Sequence, residues 1–489
     1  MIPVLLIAIP LAGGLAGFFF KNSQSARGWS LFVSLLALVV SLVGLSVGAR
    51  SPMLNADVEW LPGLGSRFAV GLDGMGQILC LLTAVSFPVI FIATWRNEYR
   101  KGWNFYALML LSQAGLMGVF LAMDALLFYF FWELALIPVY FLCSQWGGEK
   151  RIQATFKFFI YTFVGSLLML IAIIWLYSHT PDHSFSIKSF YELRSHIGGG
   201  EQLWLFWLFF IAFAIKMPIW PLHTWQPDAY EQSPTATTMV LSGVMVKMGL
   251  FGVIRWLAPV LPVGTWAWGD TASALCIIGM IYASLVAIQQ DDLKRLVAYS
   301  SIAHIGLMCL AIFATTASGM QGVMIQMFNH GINIIGLWIV IDLIERQMGT
   351  RKISELGGLA QKAPALAILL VIVALANVAL PLTNAFVGEF LLFSGVFSSK
   401  ATQYNVVFTV VAGISIILSA IYTLNMIQRV FFGNTNALTE KAKDIKLNEK
   451  VVLATIVVLI VVIGVYPKPM LSLTKDTVDM IITKMNYKL

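Results

Sequence analysis

Charge is scarce in this chain. Asp, Glu, Lys and Arg make up 11% of its 489 residues and hydrophobic residues 59%, with a mean hydropathy of +0.83, whereas soluble domains carry about 25% charged residues. That balance excludes a soluble domain, and the formal net charge of +7 reflects topology and is no nucleic-acid signal. Cysteine is scarce too. Cys80, Cys143, Cys276 and Cys309 stand alone inside apolar segments, without the C-x-x-C type of spacing that iron–sulfur ligation or haem attachment needs. There is no metal-ligand set. A Gly-rich loop between a strand and a helix is also missing, so nothing points to NADH or ATP binding.

Long apolar runs are what the chain has in abundance. Fourteen are long enough to span a bilayer, near 3–20, 29–49, 74–95, 104–123, 125–146, 154–177, 203–224, 235–258, 272–289, 298–315, 320–343, 363–397, 404–432 and 451–466. The first, Ile2–Phe20, has neither a charged leading region nor a small-residue cleavage site and is expected to be a retained helix. No soluble domain fits between the runs. The expected fold is an all-α integral membrane protein, one domain over 1–489.

Of the 31 Lys and Arg, 19 fall in loops after odd-numbered spans and 10 in loops after even-numbered spans or in the C-terminal tail. The positive-inside rule then puts the odd loops in the cytoplasm and both termini outside. Asp228 and Glu231, after span seven, run locally against the rule. Two spans are interrupted by proline in similar settings, Pro218 in IAFAIKMPIWPLHTW and Pro381 in ALANVALPLTNAFVGEF. Each frees a carbonyl four residues earlier, at Ala214 and Asn377, which is tolerable at membrane depth only beside protein or water. The prolines are 163 residues apart, five spans with their loops. An odd number of spans turns the second copy upside down. Two inverted five-helix repeats are therefore predicted, spans 4–8 (104–258) and 9–13 (272–432), each with a discontinuous helix. The flanks are an N-terminal part over 1–103 and a last span with its tail over 451–489. Single prolines in unrelated membrane helices are the competing explanation.

Ionisable residues at bilayer depth cost roughly 2.5–3.5 kcal/mol each on insertion scales. Glu133, Lys216 and Lys247 each sit near the middle of a span, and Glu389 follows the Pro381 break by eight residues. They suggest a proton or ion path through a helical bundle. Glu133, with Tyr129 one turn earlier, must find a basic partner or hold its proton. Lys216 precedes the Pro218 break, and snorkelling is its competing explanation, as it is for Lys247. Burial disfavours a charged form and pairing favours it, so a Glu–Lys pair that forms and breaks can move a proton. Ser300 and His304 share a face of span ten; Gln326, His330 and Asn333 share one on span eleven, with Asn329 beside it. A lone histidine in an apolar helix is usually a packing residue, but such a stripe points to a hydrated channel, where histidine suits a relay. His223 is open between capping, solvent contact and relay. These groups are expected to form a row near the midplane, with Leu127, Leu134 and Ile334 on faces that pack or meet lipid.

FYFFWELALIPVYFL around Glu133, AFAIKMPIWPLHTWQPDAY around Lys216, and QQDDLKRLVAYSSIAHIG through His304 resemble the antiporter-like membrane subunits of respiratory complex I. So do VGLDGMGQILCLLTA in span three, the LP…FVGEF stretch at Pro381–Phe390, and GVYPKPML after span fourteen. The likeness runs along essentially the whole chain. Glu389, where other branches typically carry lysine, and a tail too short for a lateral helix fit the family's M-type branch. The family's WLPDAH is WQPDAY here, so Gln226 and Tyr230 replace a leucine and a histidine on the cytoplasmic side.

The resemblance implies that Glu133 and Lys216 form a coupling pair and that Lys247 is the central connector. His304 and His330 would continue a hydrated axis and Glu389 would lead to the outer exit, with His223, Asp228, Tyr129, Ser300, Gln326 and Asn333 in support. It further implies a non-redox subunit of a proton-translocating NADH:quinone oxidoreductase in the bacterial cytoplasmic (inner) membrane. No cofactor is expected in this chain; FMN, iron–sulfur clusters and quinone would lie in other subunits. Partners would be the L-type and N-type chains on either side, and lipid. A subunit of an Mrp-type sodium/proton antiporter is the alternative, and a purely structural role would make the buried charges dispensable. An axis rich in lysine and histidine favours protons, because a protonated lysine cannot ligate a cation.

Overall fold

The computed structural model describes residues 1–48, 51–194 and 196–486. Among the described residues, twelve helices are long and apolar enough to cross a membrane, and Ile2–Gly17, Pro364–Asn377 and Asn384–Phe397 are shorter apolar helices. All fourteen sequence-predicted runs fall on these helices, the last two together making the predicted span twelve. The centre of the bundle is formed by spans eight (Thr235–Leu257) and eleven (Ala317–Met348), whose apolar windows are wholly buried, and by span ten (Leu293–Phe313), nearly so. Spans two (Ser23–Ser46), thirteen (Asn405–Phe431) and fourteen (Leu447–Val465) are mostly exposed. The central three carry Lys247, His304 and His330.

The all-α expectation needs one addition. Asn55–Leu61 and Ser66–Gly71 form an antiparallel hairpin on the even-loop face. A seven-residue strand is stabilised by its partner and by the helices beneath it, and next to long apolar runs its short alternation gives little signal. The hairpin is tied down by Asp124, which caps span five (Ala125–Trp146) by accepting from the amides of Leu126 and Leu127 at 3.0 and 3.0 Å. The same carboxylate accepts from Ser66 Oγ at 2.9 Å and the Arg67 amide at 3.0 Å. The tail past span fourteen is also structured. Lys468–Met485 is an amphipathic helix that buries Thr474, Thr477, Val478, Ile481 and Met485 against the bundle.

The spans that carry Pro218 and Pro381 are both broken, whereas Pro10, Pro88 and Pro138 lie inside continuous helices, and span seven differs from its predicted limits. Its helix Gly199–Lys216 stops before Pro218, and after a turn the chain resumes as Trp225–Gln232. Lys216 is therefore the last residue of a half-helix and not the middle of a continuous one, and a helix C-terminus favours a cation. The carbonyl of Ala214 accepts from the Ile219 amide at 2.8 Å and that of Ile215 from Trp225 Nε1 at 2.9 Å. The chain thus satisfies the first break itself. At the second, Ala379 and Leu382 hold φ of 55° and 73°, left-handed conformations that cost non-glycine residues about 1–3 kcal/mol.

Close backbone approach at glycines sets the helix spacing at several places, Gly249 and Gly115 among them. A Cβ on Gly249 would stand 2.6 Å from the Phe213 carbonyl oxygen, so glycine lets span eight lie against the end of the first half of span seven. A Cβ on Gly115 would stand 2.5 Å from the Ala135 backbone nitrogen, where spans four (Gly102–Leu121) and five meet. Gly115→Val should therefore destabilise the protein by about 1–3 kcal/mol, measured as a lower unfolding midpoint in detergent. Gly28→Ala, at an exposed helical position with nothing within 4 Å, should be neutral or stabilising by up to about 1 kcal/mol.

Candidate functional site

Span eight leaves regular α geometry on both sides of Lys247, with π-type turns at Leu241–Met245 and Val253–Leu257. In the first, the Val246 amide donates to Leu241 O at 3.1 Å. In a regular helix it would donate to Ser242 O. The released Ser242 carbonyl accepts from Lys247 Nζ at 2.7 Å, so the turn supplies the lysine with an acceptor from its own helix. The second partner comes from span eleven, with His330 Nδ1 at 2.9 Å from the same nitrogen. A snorkelling lysine would reach for an interface; fully buried Lys247 turns inward.

From His330 the polar groups continue across the bundle. The rings of His330 and His304 are 5.6 Å apart between centroids. His304 Nδ1 lies 3.2 Å from Oε1 of Glu389, on the second half of broken span twelve. Around this line the later spans interlock through amides. Asn333 and Asn384 exchange side-chain hydrogen bonds at 3.0 and 3.0 Å, and Asn329 Nδ2 donates to the Asn384 carbonyl at 2.7 Å. Asn384 opens Asn384–Phe397, so these bonds fix where the half-helix starts and hence where Glu389 points. Ser300 Oγ accepts from Tyr422 OH at 2.9 Å and from Asn377 Nδ2 at 3.3 Å. Gln326 lies against Gly388, beside Glu389. A small cavity between spans ten, twelve and thirteen is lined by His304, Glu389, Ser415, Ser419 and Tyr422.

The first half of the predicted row is arranged differently. Lys216 Nζ stands 5.4 Å from the centre of the Trp132 ring and 5.9 Å from that of Phe158, within cation–π range. Glu133 is half-buried. Among the described residues no ion pair joins it to Lys216, and Glu133 Oε1 and Lys216 Nζ are both buried without a hydrogen-bond partner. The expected contact pair is thus a separated pair here, and no hydrogen bond links Lys216 to Lys247. Tyr129 lies beside Ser166, within electrostatic reach of Glu133. Leu127 and Ile334 are buried in the core, and Leu134 is partly so.

On the odd-loop face the acidic residues that ran against the charge rule are neutralised. Asp228 pairs with Lys157 at 2.7 Å and Arg295 at 3.2 Å, and Glu231 with Arg295 at 2.9 Å and Arg351 at 3.0 Å. Lys150, Lys157, Asp228, Glu231 and Arg295 line a vestibule of about 290 Å³. Buried His223, in the turn of span seven, has its ring edge-on to Tyr282 at 5.2 Å. Gln226 and Tyr230 are buried beyond it with unpartnered polar atoms.

Asn384, Tyr422, the side chain of Asn377, the Ser242 carbonyl and Trp132 were not among the sequence candidates. Asn384 could have been found, since it is polar, sits five residues before Glu389 and follows the break directly. A π-type turn leaves no such signal. Among the described residues no cluster of three His, Cys, Asp or Glu side chains could hold a metal ion.

The family model described as NADH:quinone oxidoreductase/Mrp antiporter, TM, matches residues 122–426, which hold every residue of the buried line. The chain is 34% identical over 474 residues to the NADH-quinone oxidoreductase subunit M of Rickettsia prowazekii, covering 95% of each chain. It is 34% identical over 501 residues to the F(420)H(2) dehydrogenase subunit M of Methanosarcina mazei, covering 99% of each. A chain of respiratory complex I from Thermus thermophilus superposes with a TM-score of 0.89 at 28% identity, covering 100% of both chains. The chain belongs to the NADH:quinone oxidoreductase/Mrp antiporter family of membrane subunits, in its subunit M branch.

Proposed function

We propose that this chain moves protons outward as a membrane-arm subunit of an NADH–quinone oxidoreductase, through the buried groups described above. The observation that carries the reading is the line from Lys247 to Glu389. Its contacts of 2.9 and 3.2 Å flank a histidine pair with ring centroids 5.6 Å apart, at positions where bulk water cannot solvate a charge. Each member can take or release a proton, and each has a neighbour that compensates the change. Lys247 is the donor to the line, and the Ser242 carbonyl holds its ammonium when His330 carries no free acceptor. Glu389 is the terminal carboxylate, beside the cavity that reaches span thirteen.

Glu133 and Lys216 act upstream as a switch. With the two apart, the Trp132 and Phe158 rings hold the lysine charge; closure onto Glu133 would stabilise that charge further and draw it from Lys247. Protons are taken up at the vestibule of Asp228, Glu231 and Arg295, with His223 on the way, and both termini lie outside the bacterial inner membrane. The two broken helices belong to inverted repeats over 104–258 and 272–432. The chain itself carries no redox centre; FMN, iron–sulfur clusters and quinone belong to other subunits. L-type and N-type chains flank it. A subunit of an Mrp-type antiporter would use the same bundle without NADH, and copurification of the chain with NADH dehydrogenase activity separates the two.

Glu133→Ala or Lys216→Ala should lower NADH-driven proton pumping in proteoliposomes by about tenfold or more, with the complex still assembled. Removing one member of a pair not in contact leaves no newly broken ion pair. Glu133→Asp should keep partial activity. Near-normal pumping in both alanine variants would remove the pair from the mechanism.

Lys247→Arg should impair pumping almost as much as Lys247→Ala, because arginine keeps the charge but does not release its proton in proteins. Full pumping by the arginine variant would reduce Lys247 to an electrostatic anchor.

A further inference from the structure

The face of the even-numbered loops is poor in basic residues, with 10 of the 31 Lys and Arg, yet four of them meet in one place. Lys188, Arg194, Arg255 and Lys484 line a groove of about 750 Å³ between the short helix Ile187–Leu193, the C-terminal helix Lys468–Met485 and the end of span eight. Asp73, Glu192, His196 and the phenol of Tyr191 are the other titratable groups there, and Met123, Ile187 and Met480 complete the wall. The size is that of a ligand site.

The basic side chains are held in place. Arg255 is only 2% exposed and pairs with Asp73 at 2.6 Å, but its Nε is buried without a partner. Tyr191 OH donates to the Arg255 carbonyl at 3.1 Å, and Lys484 Nζ stands 4.6 Å from the centre of the Tyr191 ring. Arg194 donates to the Lys484 backbone carbonyl at 2.9 Å, which holds its guanidinium at the end of the C-terminal helix beside Lys484. Burial and then the Arg194 charge push the Lys484 pKa below its usual value, only partly offset by Glu192. Like charges held together at a cost, above a buried guanidinium, are arranged for an anion.

We propose that this groove binds a phosphate-bearing anion, the headgroup of an anionic phospholipid at the outer surface. Lys188, Arg194 and Lys484 face the phosphate, and Met123, Ile187 and Met480 take the adjoining hydrocarbon. The mixed lining separates this ligand from a small hydrophilic anion, which would leave the methionines wet. The inference stands on this groove and does not depend on the proton path.

The test uses the assembled complex in phosphatidylcholine nanodiscs doped with photoactivatable phosphatidylglycerol, or with the matching phosphatidylcholine probe. Label should map to Ile187–Leu193 or Lys468–Met485 of this chain with the glycerol probe, several-fold above the choline probe. It should fall several-fold in Lys188→Gln/Lys484→Gln and measurably in Lys188→Gln alone, an exposed position where folding is not at stake. Excess inorganic phosphate separates the sources: survival of the label supports the lipid, and its loss assigns the site to free phosphate and overturns the lipid. Equal labelling by the two probes, no change in the variants, or no label in either segment would overturn the proposal.

Discussion

A charge inside a low-dielectric bundle must be compensated, and the architecture around the central spans follows from that requirement. An ionisable residue at mid-membrane costs roughly 2.5–3.5 kcal/mol even when some relaxation is allowed, and this chain buries Lys247, His304, His330 and Glu389 within one connected region. Compensation is local and specific. The π-type turn of span eight frees a carbonyl for Lys247, span eleven brings His330 to the same nitrogen, and the Asn333–Asn384 exchange fixes the half-helix that carries Glu389. Breaks that would weaken an ordinary transmembrane helix here serve to place polar groups.

The two halves of the polar row meet the same requirement differently. From Lys247 to Glu389 the groups compensate one another directly, with each side chain close to the next. At Lys216 the compensation comes from aromatic faces and a helix C-terminus, while Glu133 is held apart. The first arrangement suits conduction, since a proton arriving at one group changes the next. The second suits control, because aromatic stabilisation is weaker than an ion pair and can be exchanged for one. A connected segment beside a separable pair is what a gated proton path requires.

How much of this was legible in the sequence depends on the length scale of the signal. Apolar runs located the long apolar helices among the described residues, and Pro218 and Pro381 located the two breaks. Glu133, Lys216, Lys247 and Glu389 were conspicuous because each is out of place in its surroundings. The polar stripe on span eleven indicated which face carries the polar groups, but not that Asn329 and Asn333 bind span twelve while His330 binds Lys247. Those pairings are set by tertiary contact. That Glu133 and Lys216 share no hydrogen bond, with Lys216 set beside the Trp132 ring, is likewise a matter of tertiary placement. The hairpin Asn55–Leu61/Ser66–Gly71 escaped because its stability comes from Asp124 and the helix ends beneath it, far away in sequence.

The central claim is that protons pass along the line from Lys247 through the two histidines. The most direct measurement is the ratio of protons translocated to NADH oxidised in proteoliposomes containing the assembled complex with His330→Phe, which keeps a ring in the packing but cannot titrate. The account predicts a lower ratio than in the unmodified complex, with NADH oxidation restored by an uncoupler. An unchanged ratio at full assembly would show that protons do not use this line.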